Sequence, residues 1–378
     1  MDLRDSPDEA RFRTRLRTWL SENVPTEPEP AALAERWPHM REFQQRMYRG
    51  GWVALSYPRE VGGQGLGLME EAILSQELGR VNAPTMLPLG HLGRPLLSHG
   101  SEEQRRRYLP PLLASDEIWC QGFSEPQAGS DLAALRTRAV RDGGDWVISG
   151  QKVWTSYGVF ADFCLLLART DPEARRHRGI SAFVVPLRSP GVTVRPIVLA
   201  NGDEEFAEIY LDEVRVPDRN MIGAPTDGWR IAMDVISYER GAVDIGYLSK
   251  FERYFAELAD VVRRSTPTPD RAVVRALGET AAGLEVLRMH CLRSLSERAS
   301  GAAPGPETSI DKLLMTRVEQ LLMATSLDLL TDAAEPGRRE WFDRYLYGRA
   351  GSIYGGSAQI QRNILAERLL ALPREPRV

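Results

Sequence analysis

Two stretches of this chain carry residue types that acid–base chemistry needs. In GWRIAMDVISYERGAVDIG, Ile231, Val235, Glu239 and Val243 recur every four residues, which stacks them along one side of a helix and sets a carboxylate into an apolar stripe. An unpartnered carboxylate in that position must find a cation, stay protonated with a raised pKa, or line a cavity where the perturbation is used. A helix-edge Glu paired with a neighbouring Arg has the same spacing, so spacing alone leaves both readings open. The second stretch is SIYGGSAQIQRNILAERLL (352–370), where Gly355 and Gly356 run into Ser357 and an apolar helical pattern of Ile360, Ile364, Leu365 and Leu369. Free backbone N–H groups at such a helix start attract an anion. It is half of a binding site, with glycine where a side chain could reach into a pocket.

The elements that must hold these residues follow from periodicity. Ser6-Pro7-Asp8-Glu9 is a capping box with proline at the first helical position, opening a helix that stops before Pro25. After the proline-rich PTEPEP linker, helices are expected in LAERWPHMREFQQRMYR, MEEAILSQELGRV and EEQRRRYLPPLLAS. The pattern then changes to short apolar or alternating runs: RTRAVRDGGDWVISG with a turn at Asp142-Gly143-Gly144, then ADFCLLLART, ISAFVVPL, VTVRPIVL and FAEIYLDEVRV. From Gly228 long helices return, over roughly 229–263, 270–299, 309–334 and 357–370, with SGAAPGPETS as a flexible loop. Residues 1–119 therefore read as a helical domain, 120–222 as a β domain and 223–378 as a helical bundle, with no internal repeat.

Composition narrows the function. At 378 residues the chain exceeds what one core usually spans, and a net charge of −4 gives no reason to expect nucleic acid. Apolar runs such as 163–168 are far too short for a bilayer. The amino-terminal stretch has no apolar signal-peptide core, and Cys120, Cys164 and Cys291 are an odd, scattered set, so a reducing cytoplasm is expected. The cysteines are expected to be small buried hydrophobes. His39, His91, His99, His177 and His290 have no metal-ligand spacing, and no metal is expected.

CQGFSEPQAGSDLAALRTRAV followed by ISGQKVWTS resembles the flavin-binding signature of the acyl-CoA dehydrogenase family. The resemblance continues through RGISAFVVPLRSPGVTVRPI, LDEVRVPDRNMIG, GW, YERG and IYGGSAQIQRNILAERLLALPR, and so covers nearly the whole chain. It implies a mainly α fold with a helical amino-terminal domain, a barrel-like middle β domain and a carboxy-terminal four-helix bundle, binding FAD. It further implies that Ser124, Phe123 and backbone groups around Gln121 face the isoalloxazine ring, that Trp154 packs along it, and that Ser156 approaches N5. Ser130 would serve cofactor and substrate, and Ser357 and Gln359 would lie near the FAD phosphates. Trp154 as a core aromatic and Ser124, Ser130 and Ser357 as turn or cap residues are the duller readings of the same positions.

The implied reaction is α,β-dehydrogenation of an acyl-CoA or acyl-carrier thioester. The family's best-known members have Glu where this chain has Gly355, whereas branched-chain and long-chain relatives carry the base in an ER pair on a bundle helix. Here that pair is Glu239-Arg240, with Glu239 as base, Arg240 toward substrate, and the Gly355 N–H kept for the thioester oxygen. The Arg-x-x-Phe-Gly and Gly-Gly-x-Gly segments of many relatives are absent; Arg263 or Arg264 could take the pyrophosphate role, or simply end a solvated helix. The basic loop DPEARRHRG could meet CoA phosphates, or be merely exposed. The expected partners are an electron-transfer flavoprotein and a second copy in a homodimer or homotetramer, with a heteromer as alternative. The rival activities are an oxygen-using oxidase or monooxygenase of the same fold and a non-catalytic subunit.

Overall fold

The structure, a computed structural model, describes residues 5–27, 30, 32–84, 89–238, 242–265, 268–302, 305–330 and 337–373. Glu239 and Arg240 fall outside them. The chain divides into two compact units, one of residues 25–66 and 84–239, the other of residues 1–24, 67–83 and 240–378.

The first unit is an eight-stranded sheet with helices on one face. Its helices are α2 (Leu33–Arg49), α4 (Leu89–His99), α5 (Glu102–Leu113) and α6 (Gly228–Tyr238). Its strands are β1 (Trp119–Gly122), β2 (Arg138–Asp142), β3 (Asp145–Ser156), β4 (Phe163–Arg169), β5 (Ile180–Pro186), β6 (Val192–Ile197), β7 (Phe206–Pro217) and β8 (Met221–Ile222). They are ordered β6-β7-β3-β2-β4-β5-β8, with β1 parallel to β4. Successive strand side chains point to opposite faces, and here both faces of the centre are buried. Leu165 and Leu167 of β4 and Ile180, Ala182 and Val184 of β5 pack with Leu96, Leu109, Ile231 and Val235 of the helices. Cys164, Leu166, Ala168, Phe183 and Val185 pack on the other side with Trp146, Ile209 and Val214. That is why β4 and β5 read as continuous apolar runs. Cys120 and Cys164 are free, buried and opposed in register, as small hydrophobes.

The second unit is helical: α1 (Pro7–Asn23), α3 (Leu68–Arg80), α7 (Ala242–Ser265), α8 (Arg271–Ala299), α9 (Thr308–Leu329), α10 (Arg338–Gly348) and α11 (Ala358–Ile364), the last running into a π-helical turn, Leu365–Leu369. The capping box forms, with Glu9 N donating to Ser6 Oγ at 3.3 Å and Ser6 N donating to Glu9 Oε2 at 2.6 Å. The core joins Leu248, Phe251 and Leu258 of α7, Leu284 and Leu287 of α8, Leu322 and Met323 of α9 and Trp341 of α10. Three expectations need correction. Helix α10 was not anticipated, because REWFDRYLY is dominated by charged and aromatic residues with no clean apolar stripe. The helix expected over 309–334 ends at Leu329. The Ile360, Ile364, Leu365, Leu369 stripe is not the buried face of α11: these residues are half-buried or exposed, and the fully buried one is Gln361.

A second buried polar side chain on α3 escaped pattern reading. Glu77 is fully buried, and its carboxylate accepts from Arg13 Nη1 at 2.7 Å and from Arg17 Nε and Nη2 at 2.9 and 2.8 Å. Burial alone would raise this carboxyl, but the guanidinium hydrogen bonds outweigh it and hold it below its ordinary value of 4.5. Its stabilising contribution is therefore complete above that ordinary value and is lost as pH falls through the lowered one. Glu77→Gln is expected to cost about 3 kcal/mol in chemical denaturation near neutral pH, since two guanidiniums lose their shared anion; a loss below about 0.5 kcal/mol would show that the cluster is merely solvated.

Candidate functional site

Within the first unit the flavin-signature residues come together on one edge of β3. Gln121 lies in β1, Phe123 is buried just after its end, and Ser124 is half-buried in the following loop. Ser124 O accepts from Val153 N at 3.0 Å, so loop and strand run side by side. Between Lys152 and Thr155 the β3–β7 register slips, a bulge that leaves Trp154 with a left-handed backbone (φ 58°). A bulge turns a side chain out of its sheet, and Trp154 is 57% exposed, its ring edge-on to Phe206 at 6.0 Å. A bulky residue at positive φ costs about 1–3 kcal/mol and persists only where its surroundings impose it. Trp154 is thus not a core aromatic. Ser156 is half-buried two residues on, at the end of β3.

What imposes this geometry is an ion pair that the signature contained but sequence reasoning passed over. Lys152 Nζ donates to Glu125 Oε1 at 2.8 Å and to Phe123 O at 3.1 Å, with the two side chains 0% and 2% exposed. Glu125 also accepts from Thr137 N at 2.8 Å, Arg136 N at 2.6 Å and Gln127 Nε2 at 2.8 Å. Both ends of the 123–137 loop are thereby tied to one carboxylate. Burial pushes the Lys152 ammonium down while Glu125 opposes it; burial pushes the Glu125 carboxyl up, but Lys152 and the amide donors prevail and hold it low. The available signal was a lysine, one of only three in the chain, two residues before the tryptophan.

Ser130 is exposed on the same loop, and the neighbouring Asp131 pairs with Arg176 at 2.5 Å. This brings the basic DPEARRHRG loop beside Ser130, with Arg175, His177 and Arg178 also exposed. On α6, His99 Nε2 bonds Asp234 Oδ2, fastening α4 to the helix that leads toward residue 239.

In the second unit the Gly-Gly stretch is the end of a strap, residues 348–356, held along one face of α9. Thr316 Oγ1 donates to Gly351 O at 3.1 Å and Gln320 Nε2 to Gly348 O at 3.1 Å, while Lys312 Nζ lies 4.3 Å from the Tyr354 ring centre. A Cβ on Gly351 would come within 2.9 Å of Glu319 Oε2, so the strap lies close against the Glu319 side chain. Gly355 is exposed at φ 61° and Gly356 follows at φ 90°. Ser357 caps α11, its Oγ accepting from Ile360 N at 3.3 Å, and Gln359 is exposed. Beside the strap, Arg317, Arg362 and Ser352 line an open groove of about 400 Å³ with Ile310, Leu313 and Leu314. Arg263 pairs with Asp260 in the last turn of α7, as at a solvated helix end.

Glu319 is the carboxylate of this region whose titration is most perturbed among the described residues that face the strap. Burial raises it, Lys250, Lys312 and Arg349 only partly offset that, and it is pushed up to about 7.

Three family descriptions match in series: acyl-CoA dehydrogenase N-terminal domain over residues 6–116, middle domain over 120–214 and C-terminal domain over 226–370. The chain is 38% identical to acyl-CoA dehydrogenase IpdE1 of Mycobacterium tuberculosis over 387 residues, covering 97% of this chain and 99% of that protein. Among solved structures it is similar to Tcur3481-Tcur3483, a steroid ACAD, at 29% identity with TM-score 0.87, over 99% of this chain and 100% of that one. The ChsE4-ChsE5 complex from Mycobacterium tuberculosis gives the same identity, TM-score and coverage. Among the described residues no helix is long and apolar enough to cross a membrane.

Two outcomes test this site. Lys152→Met is expected to destabilise the chain by about 3–5 kcal/mol, because Glu125 keeps its charge in a buried place without its cation; a thermal midpoint equal to wild type would remove the pair from the account. For Glu319, whose carboxyl is raised on folding, stability falls as pH climbs from its ordinary 4.5 to about 7. Glu319→Gln is expected to abolish that fall, gaining about 1–3 kcal/mol over wild type at about pH 8 and nothing at about pH 4, read from thermal midpoints across pH.

Proposed function

This chain belongs to the acyl-CoA dehydrogenase family, and from that premise we propose that it removes the α and β hydrogens of an acyl-CoA or acyl-carrier thioester, with FAD as its cofactor. The observation that carries the reading is the strained, outward-turned Trp154 beside the clamped 123–137 loop. An exposed indole held at a costly backbone angle by a buried ion pair suits a wall for a flat, electron-rich ring.

FAD, when bound, takes the β-hydrogen as hydride at its ring. Backbone groups at Gln121, Phe123 and Ser124, together with Trp154, Ser156 and Ser130, are the groups we assign to holding the ring, and Ser357 and Gln359 to the phosphate side. Glu239 takes the α-proton, and Arg240 and Ser130 face the substrate. A carboxylate is too weak a base for an ordinary α C–H, so the thioester oxygen needs a hydrogen-bond donor as charge develops; the Gly355 N–H is assigned that role. The glycine at 355 removes one possible base while keeping this donor, and it leaves the base to Glu239.

Electrons pass on to an electron-transfer flavoprotein in the cytoplasm in this reading. An oxygen-using oxidase or monooxygenase of the same fold would instead release peroxide during turnover. A homodimer or homotetramer is the simpler assembly, but a heteromer, including one in which this chain is the silent partner, gains support because two of its structural relatives are described as paired chains. Co-purification of a second homologous chain would mark that arrangement.

The test is anaerobic bleaching of the yellow protein by a panel of acyl thioesters, steroid-derived ones included. Wild type should bleach with at least one. Glu239→Gln should stay yellow while its bleaching slows by about 10²-fold or more, and bleaching at the wild-type rate would refute the assignment of the base.

A further inference from the structure

We propose that Gln361 is the residue that positions the Gly355 amide, an inference that rests on the role assigned to that amide above. Gln361 lies on α11, where its apolar neighbours Ile360 and Ile364 are only half-buried, yet it is itself fully buried. Its Nε2 donates to Gly355 O at 3.2 Å and to Gly356 O at 3.3 Å. Its Oε1 has no hydrogen-bond partner among the described residues. Burying an amide oxygen without a partner costs about 1–3 kcal/mol, so the side chain is not held there by its own satisfaction. What it does supply is a pair of donors aimed at two consecutive carbonyls.

Peptide planarity carries those two bonds to the neighbouring N–H groups. A carbonyl and the N–H of the next residue share one rigid plane, so fixing Gly355 O and Gly356 O fixes the 355–356 and 356–357 planes. The Gly355 N–H lies in the 354–355 plane, one step earlier. On its other side Tyr354 N donates to Ala350 O at 3.0 Å, which fixes the 353–354 plane. The plane bearing the Gly355 N–H is thus bracketed by two held planes, and only the torsions at Tyr354 and Gly355 remain. Gly355 is exposed at φ 61°, where a glycine has no side chain to restrict its backbone. Thr316 and Gln320, bonded to Gly351 O and Gly348 O, hold the start of the same strap. Gln361 supplies the matching hold on the carbonyls at the end of the strap.

The experiment compares the FAD-loaded full chain with its Gln361→Met variant, which keeps length and burial but has no donor. Two readouts are taken: hydrogen–deuterium exchange of a peptide spanning residues 353–358 without substrate, and steady-state kinetics with a thioester that bleaches wild type. Exchange there is expected to rise about tenfold, and kcat to fall about 10- to 100-fold with KM within about threefold, because a displaced donor is felt chiefly in the transition state. Unchanged exchange, or a loss confined to KM, overturns the proposal. Should Gln361→Met not fold, Gln361→Asn, which withdraws the donors by one methylene, is read by the same exchange with the same criterion. If wild type bleaches with no thioester, the function proposed above fails, while the exchange comparison still decides whether Gln361 holds the loop.

Discussion

The buried Lys152–Glu125 ion pair is the constraint on which the sheet unit's candidate site depends. Removing both charges from water is unfavourable, and their mutual attraction offsets this only because the remaining lone pairs of Glu125 are taken by Thr137 N, Arg136 N and Gln127 Nε2, and the ammonium also reaches Phe123 O. One carboxylate thus closes the loop at both ends and ties it to β3. The bulge then follows two residues from the lysine, and with it the outward turn of Trp154. Loop, strand and indole are thus joined through one buried pair.

The helical unit handles its carboxylates differently. Glu77 is satisfied by Arg13 and Arg17 and serves as a fastening between α1 and α3. For Glu319, burial outweighs the nearby charges of Lys250, Lys312 and Arg349, and it is raised to about 7. It packs where Gly348 and Gly351 leave room, so the glycines of the strap are explained by contact with α9 as much as by turn geometry. The strap is therefore a segment with no core of its own, positioned by polar contacts from Thr316, Gln320 and Gln361. Polar positioning of this kind is directional, and it suits a segment whose useful atom is a backbone N–H.

Helix α11 illustrates how a reading by pattern can be right about an element and wrong about its face. Hydrophobic periodicity assumes that apolar residues point inward, yet in Gln359-Ile360-Gln361 the buried side chain is the polar one at 361. There the Gln361 amide donates to the carbonyls of Gly355 and Gly356, a contact that an isoleucine could not make. Helix α10 was missed for a related reason: Trp341 enters the core while Arg344 lies over both Trp341 and Tyr254, so aromatic and guanidinium packing replaces an aliphatic stripe. The strands were easier, because two buried faces leave continuous apolar runs in β4 and β5 bounded by turns.

The amino-acid sequence by itself determined the order of elements, the capping of α1, the helical, β, helical succession and the family, since each rests on neighbours in the chain or on motifs whose spacing survives without a structure. Only the tertiary structure decided that Glu125 and Lys152 meet, that Trp154 faces outward, that the Glu77 carboxyl is held low and the Glu319 carboxyl pushed up, and that Gln361 lies under the glycine turn. Those facts concern burial and partner choice between residues far apart in the chain, as in the Arg13–Glu77 contact across 64 positions. The energy of a polar side chain is set by what surrounds it in space, and a linear pattern records only what precedes and follows it.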